Sequence, residues 1–492
     1  MALILEDTFV KLDVPLGEEV IQLSSLDQQA QRNYAKLLLL FELDQKSRAA
    51  DTIQHLKNGL AVALCELPDF ASTVAPLPGS ERKELELRLG PESGVAFRAV
   101  SHEAPESGQG VPASPLAGRS YGDLAAGNFP IMDIPRDVLF VPEEGPENAP
   151  SGGIPAARIQ ANFISGGLII AFSWHHTVCD ARGVTRFLGA WARHTKESRT
   201  QGAPQAPPAV PAEQTLERWR LDYGDESADA EQLQDYAANP ALRSPLTPGC
   251  AHLLDRSDPV AATAVFSTWY FSPASLKSLR GLLAESDVEN SSAFTQSEAV
   301  SALIWKHLSI ARSVQRDAPA DATSLFSTRI DYRARAKPAF HEDFVGNINE
   351  PNARVRVPLE EVCAPPTPGS LAALAHAIRD AVQGVGEDDI RAFIGVVNGL
   401  RAVTDLYWNY NTYPGPDLAV SDMSGSDILR QDWGGPLGYP TCIRTPSRER
   451  GVAFVLPQDR DGGFEMQLQS EAEAVGKLKA DEFFTRFAEF RC

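Results

Sequence analysis

Apolar and polar positions divide this chain into short strands and amphipathic helices, and one stretch gathers both around a polar loop. Leu168 to Trp174 is an apolar, aromatic-containing run bounded by turn formers, the pattern of a buried strand. Before it, residues 158–163 alternate apolar and polar, and Ser165-Gly166-Gly167 supplies a turn, which predicts a hairpin. After Gly183, the residues Val184, Phe187, Leu188 and Trp191 recur at i, i+3, i+4 and i+7, one face of a helix. Between strand and helix lies the stretch Ser173-Trp-His-His-Thr-Val-Cys-Asp180. Rigid elements on both sides of a polar loop hold a catalytic base still.

The same pattern extends along the chain. Residues 21–45 run from a polar turn into a β-rich apolar stretch, and a helix follows with Ile53, Leu56, Leu60 and Leu64 on one face and Asp51 as its cap. Thr295 and Glu298 stand in capping-box spacing at the head of an amphipathic helix over 295–312. Strands are expected at 264–271, 324–331, 353–357, 417–421, 451–456 and 463–468, with a helix starting at Ser272-Pro-Ala-Ser-Leu276. Residues 100–120 and 142–156, rich in Pro, Gly, Ser and Glu, read as surface loops. The clearest break is the Pro/Ala-rich stretch 196–212, which cannot hold regular structure. It predicts an N-terminal domain over 1–200, a crossover over 201–260 and a C-terminal domain over 261–492. Mixed strands and helices in both halves make this an α/β or α+β protein. No internal repeat is visible.

Composition narrows the partners. The 492 residues, 43% of them apolar, can furnish two substantial cores. A formal charge of −20 excludes a broad nucleic-acid or anionic-membrane surface, while leaving room for a local basic pocket. The N-terminal segment MALILEDTFVKLD carries acidic residues where a signal peptide needs basic ones, and the apolar run 37–41 is too short to span a bilayer. A cytoplasmic protein with neither nucleic acid nor membrane as partner is expected. Cysteines 65, 179, 250, 363, 442 and 492 form no C-x-x-C pair, so neither a disulfide framework nor a metal site is suggested. Cys179 reads as a small apolar filler beside the loop, and Trp174 and Trp305 as core. No P-loop or dinucleotide glycine fingerprint occurs.

A neutral imidazole beside a bound alcohol accepts its proton as the oxygen attacks a carbonyl. Adjacent residues of an extended chain point to opposite faces, so His175 and His176 cannot both face one cleft. A carboxylate at Asp180 either orients the ring or pairs with an arginine and fixes the loop. Spacing alone does not select this histidine, because His376 and Asp380 repeat it. There Leu371, Leu374 and Ile378 mark a helix face, and the pair reads as solvated i,i+4 neighbours.

Taken with the rest of the chain, SWHHTVCDARG resembles the H-x-x-x-D-[AG]-x-G signature of the BAHD-type acyl-CoA-dependent acyltransferases, especially the fungal branch that includes trichothecene 3-O-acetyltransferases. Four further segments agree in order. LSSLDQQAQRNYAKLLLLF is similar to the family's opening strand region, and TQSEAVSALIWKHLSIAR resembles the helix that opens its second domain. Ile330-Asp-Tyr-Arg-Ala-Arg335 with Gly346-Asn347 looks like its V-D-x-R-x-R and G-N pair, and Asp432-Trp-Gly-Gly-Pro-Leu-Gly438 stands where its D-F-G-W-G block belongs. The last block departs from the pattern at Trp433, Gly435 and Pro436, and Ser421-Asp422-Met423 lacks the tryptophan of the upstream Ser/Thr-x-Trp element.

The resemblance implies two chloramphenicol-acetyltransferase-like domains, each a mixed sheet flanked by helices, with a channel between them. It implies His176 as general base, Ser421 as oxyanion donor, and Asp180 as a structural residue paired with Arg333 or Arg335. Asp432 is sometimes treated as a second active-site residue; with Trp433 and Gly434 it is read here as shaping a loop, and Gly183 belongs to the signature. Arg333, Arg335 and Lys337 are the densest positive spot, read as a loop or as the Asp180 partner rather than as cofactor ligands; no cofactor-binding residue is assigned. The implied enzyme is a monomer that binds no cofactor permanently. It takes acyl-CoA, acetyl-CoA foremost, as co-substrate and acylates a hydroxyl of a small secondary metabolite by direct transfer in a ternary complex. Two alternatives remain. One is a free-standing relative of condensation domains, whose H-H-x-x-x-D-G also pairs histidines and which use carrier-protein thioesters; the other is a non-transferase built on this fold.

Overall fold

The computed structural model describes residues 3–44, 49–103, 116, 118–135, 138–139, 152–200, 216–230, 233, 235–237, 264–286, 293–316, 318–413, 415–446 and 451–492. Much of the expected crossover and of the two Pro/Gly-rich loops, together with Cys250, lies outside the described residues.

Two large sheets carry the fold. One runs in the order Leu3–Lys11, Gly94–Ser101, Ala157–Ile164, Gly167–His175, Tyr34–Glu42, Cys442–Arg444. The other runs Ala353–Pro358, Thr323–Thr328, Leu418–Asp422, Val452–Val455, Phe464–Glu471, Ala264–Phe271, Glu489–Phe490. Both mix parallel and antiparallel neighbours. The expected hairpin is Ala157–Ile164 against Gly167–His175, turned at Ser165-Gly166, where Gly166 takes a φ of +74°.

The strand Gly167–His175 is buried along its whole length because both of its faces are covered, and it is apolar but for Ser173 and His175. Leu168, Ile170, Phe172 and Trp174 enter the first core. Ile169 and Ala171 enter a second cluster with Leu38, Leu40 and residues of the 121–134 segment. The helix that follows, Ala181–Thr200, lies on the first core through Val184, Phe187, Leu188 and Trp191. It runs on through 196–200, the start of the stretch expected to be irregular, because the prolines that break a helix begin only at Pro204. Phe187 stacks 4.1 Å from Phe70, and Trp191 Nε1 donates to the Leu56 carbonyl at 2.9 Å. A Cβ on Gly59 would stand 2.4 Å from the Thr195 backbone nitrogen, so this glycine sets how closely the two helices approach. That partner helix spans Ala49–Glu66, which puts Asp51 inside the first turn rather than at the cap. The carboxylate still complements the positive helix end from there.

In the second half, the helix Gln296–Arg312 opens with the anticipated capping box: Glu298 N donates to Thr295 Oγ1 at 3.1 Å, and Thr295 N donates to Glu298 Oε2 at 2.8 Å. The strand expected over 324–331 ends at Thr328, and Arg329 begins an irregular segment. No described helix is long and apolar enough to cross a membrane.

The halves are interwoven. Ile428, Leu429, Trp433, Leu437 and Ile443, late in sequence, pack into the first core, and Cys442–Arg444 pairs with Tyr34–Glu42. A buried ion pair makes a second tie. Arg333 donates from Nη1 to Asp180 Oδ2 and from Nη2 to Asp180 Oδ1, both at 3.0 Å, and both residues are buried. Burial raises the Asp180 carboxyl, but the Arg333 charge and its hydrogen bonds outweigh that and hold it below the usual carboxylate range. The folded pKa being depressed, the pair's contribution is complete above the unfolded carboxyl's pKa and disappears as pH falls through the folded one. At pH 7, Arg333→Met should lower stability in chemical denaturation by about 3–5 kcal/mol, because it leaves Asp180 buried and unpaired. Adding Asp180→Asn should recover part of that loss; a double variant at least as unstable as the single one would show that the two do not act as a unit.

Candidate active site

A cavity of about 560 Å³ lies between the two sheets. Its wall includes Tyr34, Lys36 and Leu38 from one sheet, Ser327, Ala419 and Ser421 from the other, and His176. Larger enclosed volumes with a few polar groups among apolar ones are where small molecules bind.

His176 is the first residue beyond the strand, and its backbone is held at both ends. Its N–H donates to the Asn33 carbonyl at 3.0 Å, and its carbonyl accepts from Asn347 Nδ2 at 3.0 Å. Nδ1 is buried without a hydrogen bond of good geometry, which leaves Nε2 as the nitrogen open to the cavity. Burial, and after it the Arg329 charge, pull the imidazole down to about 4, against the smaller opposing effects of its own backbone carbonyl, Asp180 and Asn347. The ring is therefore neutral near pH 7 and able to accept a proton. His175, the last strand residue, points the other way. It is fully buried, its Nδ1 lies 2.7 Å from Thr177 Oγ1, and its ring meets Tyr34 edge-on at 5.6 Å. Burial, then the neighbouring His176 and Arg32, press it down to about 3.

Asp180 does not line the cavity. It caps the following helix, accepting from Arg182 N at 3.1 Å and Gly183 N at 3.2 Å, and it receives Ile348 N at 3.2 Å besides Arg333. A Cβ on Gly183 would sit 2.6 Å from the Cys179 Cβ, so the loop closes tightly there. Cys179 is buried, and burial raises its thiol well above the ordinary value; it fills space and supplies no thiolate. Of the two arginines offered as the Asp180 partner, Arg333 takes the place. Arg335 instead donates to the Val382 and Val385 carbonyls, at 2.5 and 2.8 Å, beside the end of the helix Pro368–Gly384. Lys337 reaches Glu387 through its backbone N–H at 3.0 Å.

Ser421 faces the cavity from the strand Leu418–Asp422, and Met423, where the resemblance expects tryptophan, lines it as well. Asp432 stands away from the cavity wall. Its Oδ2 accepts from Lys196 Nζ at 2.8 Å and its Oδ1 from Gly434 N at 2.9 Å. Trp433 is fully buried, edge-on to Trp191 at 4.9 Å, and Gly434 turns with φ +75° against Lys196. His376 packs edge-on to Phe294 at 4.7 Å, remote from the cavity wall, while Asp380 is exposed. Trp305 is core, its Nε1 on Ser324 Oγ at 2.7 Å; Trp174 lines the cavity while stacking on Phe172 at 5.4 Å.

Two wall residues carry no motif. Arg329 pairs with the buried Glu350 at 2.7 Å and lies over the Trp408 ring, 4.9 Å from its centre. Asn33 acts through its backbone carbonyl, which no side-chain pattern records. Among the described residues, no group of three or more His, Cys, Asp or Glu is placed to hold a metal ion.

Known proteins resemble this chain in sequence and in fold. The family described as "Transferase family" matches residues 140–473. Acyltransferase cm3D of Cordyceps militaris is 54% identical over 99% of this chain and 100% of its own length. Acyltransferase easC of Emericella nidulans is 51% identical over 99% of this chain and 98% of its own. A crystal structure of TRI101 from F. graminearum, complexed with coenzyme A and deoxynivalenol, superposes with a TM-score of 0.76 at 18% identity, covering 96% of this chain and 100% of that one. The chain belongs to the Transferase family and is an acyltransferase of the BAHD type, of its fungal branch.

Proposed function

We propose that this acyltransferase uses acetyl-CoA as donor and a hydroxyl of a small secondary metabolite as acceptor, in one ternary complex with His176 as general base. The observation that carries the reading is the His176 ring, pinned through its backbone and set on the wall of a cavity it shares with Ser421. The coenzyme A and deoxynivalenol in the TRI101 complex support a CoA thioester and a small acceptor meeting in one such cavity. The division into 1–200, a crossover over 201–260 and 261–492 belongs to the same reading, with 428–443 lent to the first core. So do a monomeric state and a cytoplasmic site of action.

In this mechanism Nε2 takes the acceptor's hydroxyl proton as its oxygen attacks the thioester carbonyl carbon. The tetrahedral oxyanion is held by the Ser421 hydroxyl, a donor aimed at charge that develops only in the transition state. Collapse breaks the carbon–sulfur bond, and the imidazolium returns its proton to the leaving CoA thiolate. Asp180 works at a distance by fixing the loop. Asp432, Trp433, Gly434 and Gly183 shape the backbone around it.

Acetyl-CoA offered with an extract of the producing organism should add one acetyl unit to one metabolite, read by mass shift. With that acceptor, His176→Ala should abolish free-thiol release, whereas His175→Ala and His376→Ala should not match it; comparable turnover in the His176 variant would contradict the assignment. The pH profile gives a second check. Lower pH protonates the base, and with its pKa pulled down to about 4, kcat/KM should show no acid limb between about pH 5.5 and 8. A limb near the ordinary histidine value of about 6.5 would contradict the neutral, depressed His176.

A further inference from the structure

A second buried charge cluster holds the histidine loop, and none of its residues lines the cavity. Asp27, fully buried on the short helix Ser25–Gln29, is fixed in a capping box with Ser24. Its Oδ2 accepts from Arg218 Nη1. Arg218, buried on the segment Leu216–Leu221, also donates from Nη2 to Asp69 Oδ2 at 2.6 Å and to the Val178 carbonyl at 3.0 Å. The other Asp27 oxygen, Oδ1, receives both the backbone N–H of Asn347 at 2.7 Å and its Nδ2 at 3.0 Å. That same Nδ2 donates to the His176 carbonyl. A continuous chain of hydrogen bonds thus runs from Asp69 through Arg218, Asp27 and Asn347 to the backbone of His176.

Stability is a poor explanation for such a cluster. Taking an arginine and two carboxylates out of water carries a desolvation penalty that well-packed apolar side chains would avoid. What the cluster delivers is direction. Both carboxylate oxygens of Asp27 are bonded, so it cannot rotate, and Asn347 is presented to His176 in one orientation. The guanidinium fork holds the Val178 carbonyl two residues further along the loop. Asp180 and Arg333 secure the far end of the loop and leave the His176 and Val178 carbonyls to this cluster. No motif in the sequence includes Arg218, which lies within the crossover expected over 201–260.

We infer that Asp27, Arg218 and Asn347 are positioning residues for acyl transfer, which aim the His176 ring into the cavity by holding the His176 and Val178 carbonyls. The inference rests on His176 being the base. A base displaced by about 1 Å loses up to about 100-fold in rate without losing substrate affinity.

The test uses the full chain labelled with nitrogen-15 at its 9 histidines, the His176 ring signals being assigned from their loss in His176→Ala. In Asn347→Ala and Arg218→Met these signals should shift or broaden as the ring samples several orientations, while those of the remote His307 stay in place. Arg218→Lys, which restores the charge without the fork, should fall between. Free-thiol release with acetyl-CoA and the acceptor found by mass shift should show kcat down roughly 10- to 100-fold, with KM for acetyl-CoA within about two-fold. Asn347→Ala leaves the Asp69–Arg218–Asp27 triad whole, so it tests the link even where the arginine variants do not fold. Unchanged His176 signals and kcat in Asn347→Ala, with only the thermal midpoint lowered, would overturn the inference. An active His176→Ala enzyme would instead overturn the base on which it rests.

Discussion

The bidentate pair between Asp180 and Arg333 is the contact on which the rest of this molecule depends. It joins the loop leaving the strand Gly167–His175 to the segment 329–348 from the other half of the chain. Two charges buried together are retained only in good geometry, with every remaining donor and acceptor used. Here the fork meets both carboxylate oxygens, the helix Ala181–Thr200 adds its first-turn N–H groups, and Asp331 Oδ1 with the Phe344 and Gly346 carbonyls takes the remaining guanidinium donors. The pair therefore fixes two things at once: where the loop ends, and how residues 344–348 lie beneath it. Asn347 follows from the second and holds His176.

The wall of the cavity is built by the same interweaving. One side comes from the sheet that carries the histidine, the other from the sheet that carries Ser421. The second half reaches into the first through Cys442–Arg444 on the first sheet, and Arg444 donates back to Glu465 at 2.6 Å. A reaction in which two substrates meet at one nitrogen needs both walls held in register. The low dielectric and the nearby Arg329 keep that nitrogen unprotonated, the state a general base needs before the acceptor arrives.

Local chemistry was legible in the sequence, and long-range partnership was not. The strand at 168–174, the helix face at Val184, Phe187, Leu188 and Trp191, and the Thr295–Glu298 capping box each rest on residues a few positions apart, and each has its counterpart in the structure. Asp51, expected as the cap, is the third residue of its helix, because a helix end depends on backbone turns as much as on the capping side chain. The exchange of residues 428–443 into the first core has no local signature, since an apolar stretch does not name the sheet it will join. H-x-x-x-D spacing occurs twice in the sequence, and what distinguishes the loop at His176 from the helix at His376 is the cavity beside it and a buried Asp180 where Asp380 is exposed. Arg329 and Arg218 carry no local signature, because their work is defined by partners 21 to 191 residues away. The choice between Arg333 and Arg335 was likewise open until the fold placed one on a carboxylate and the other on helix carbonyls.

The most direct measurement is a crystal structure of the protein with a nonhydrolysable acetyl-CoA analogue. The account predicts the analogue's carbonyl in the cavity between the sheets, with space for an acceptor oxygen about 3 Å from both its carbon and His176 Nε2, and Ser421 Oγ within about 3 Å of the carbonyl oxygen. An analogue bound with its carbonyl outside that cavity, or on the side of the loop where His175 lies, would contradict it.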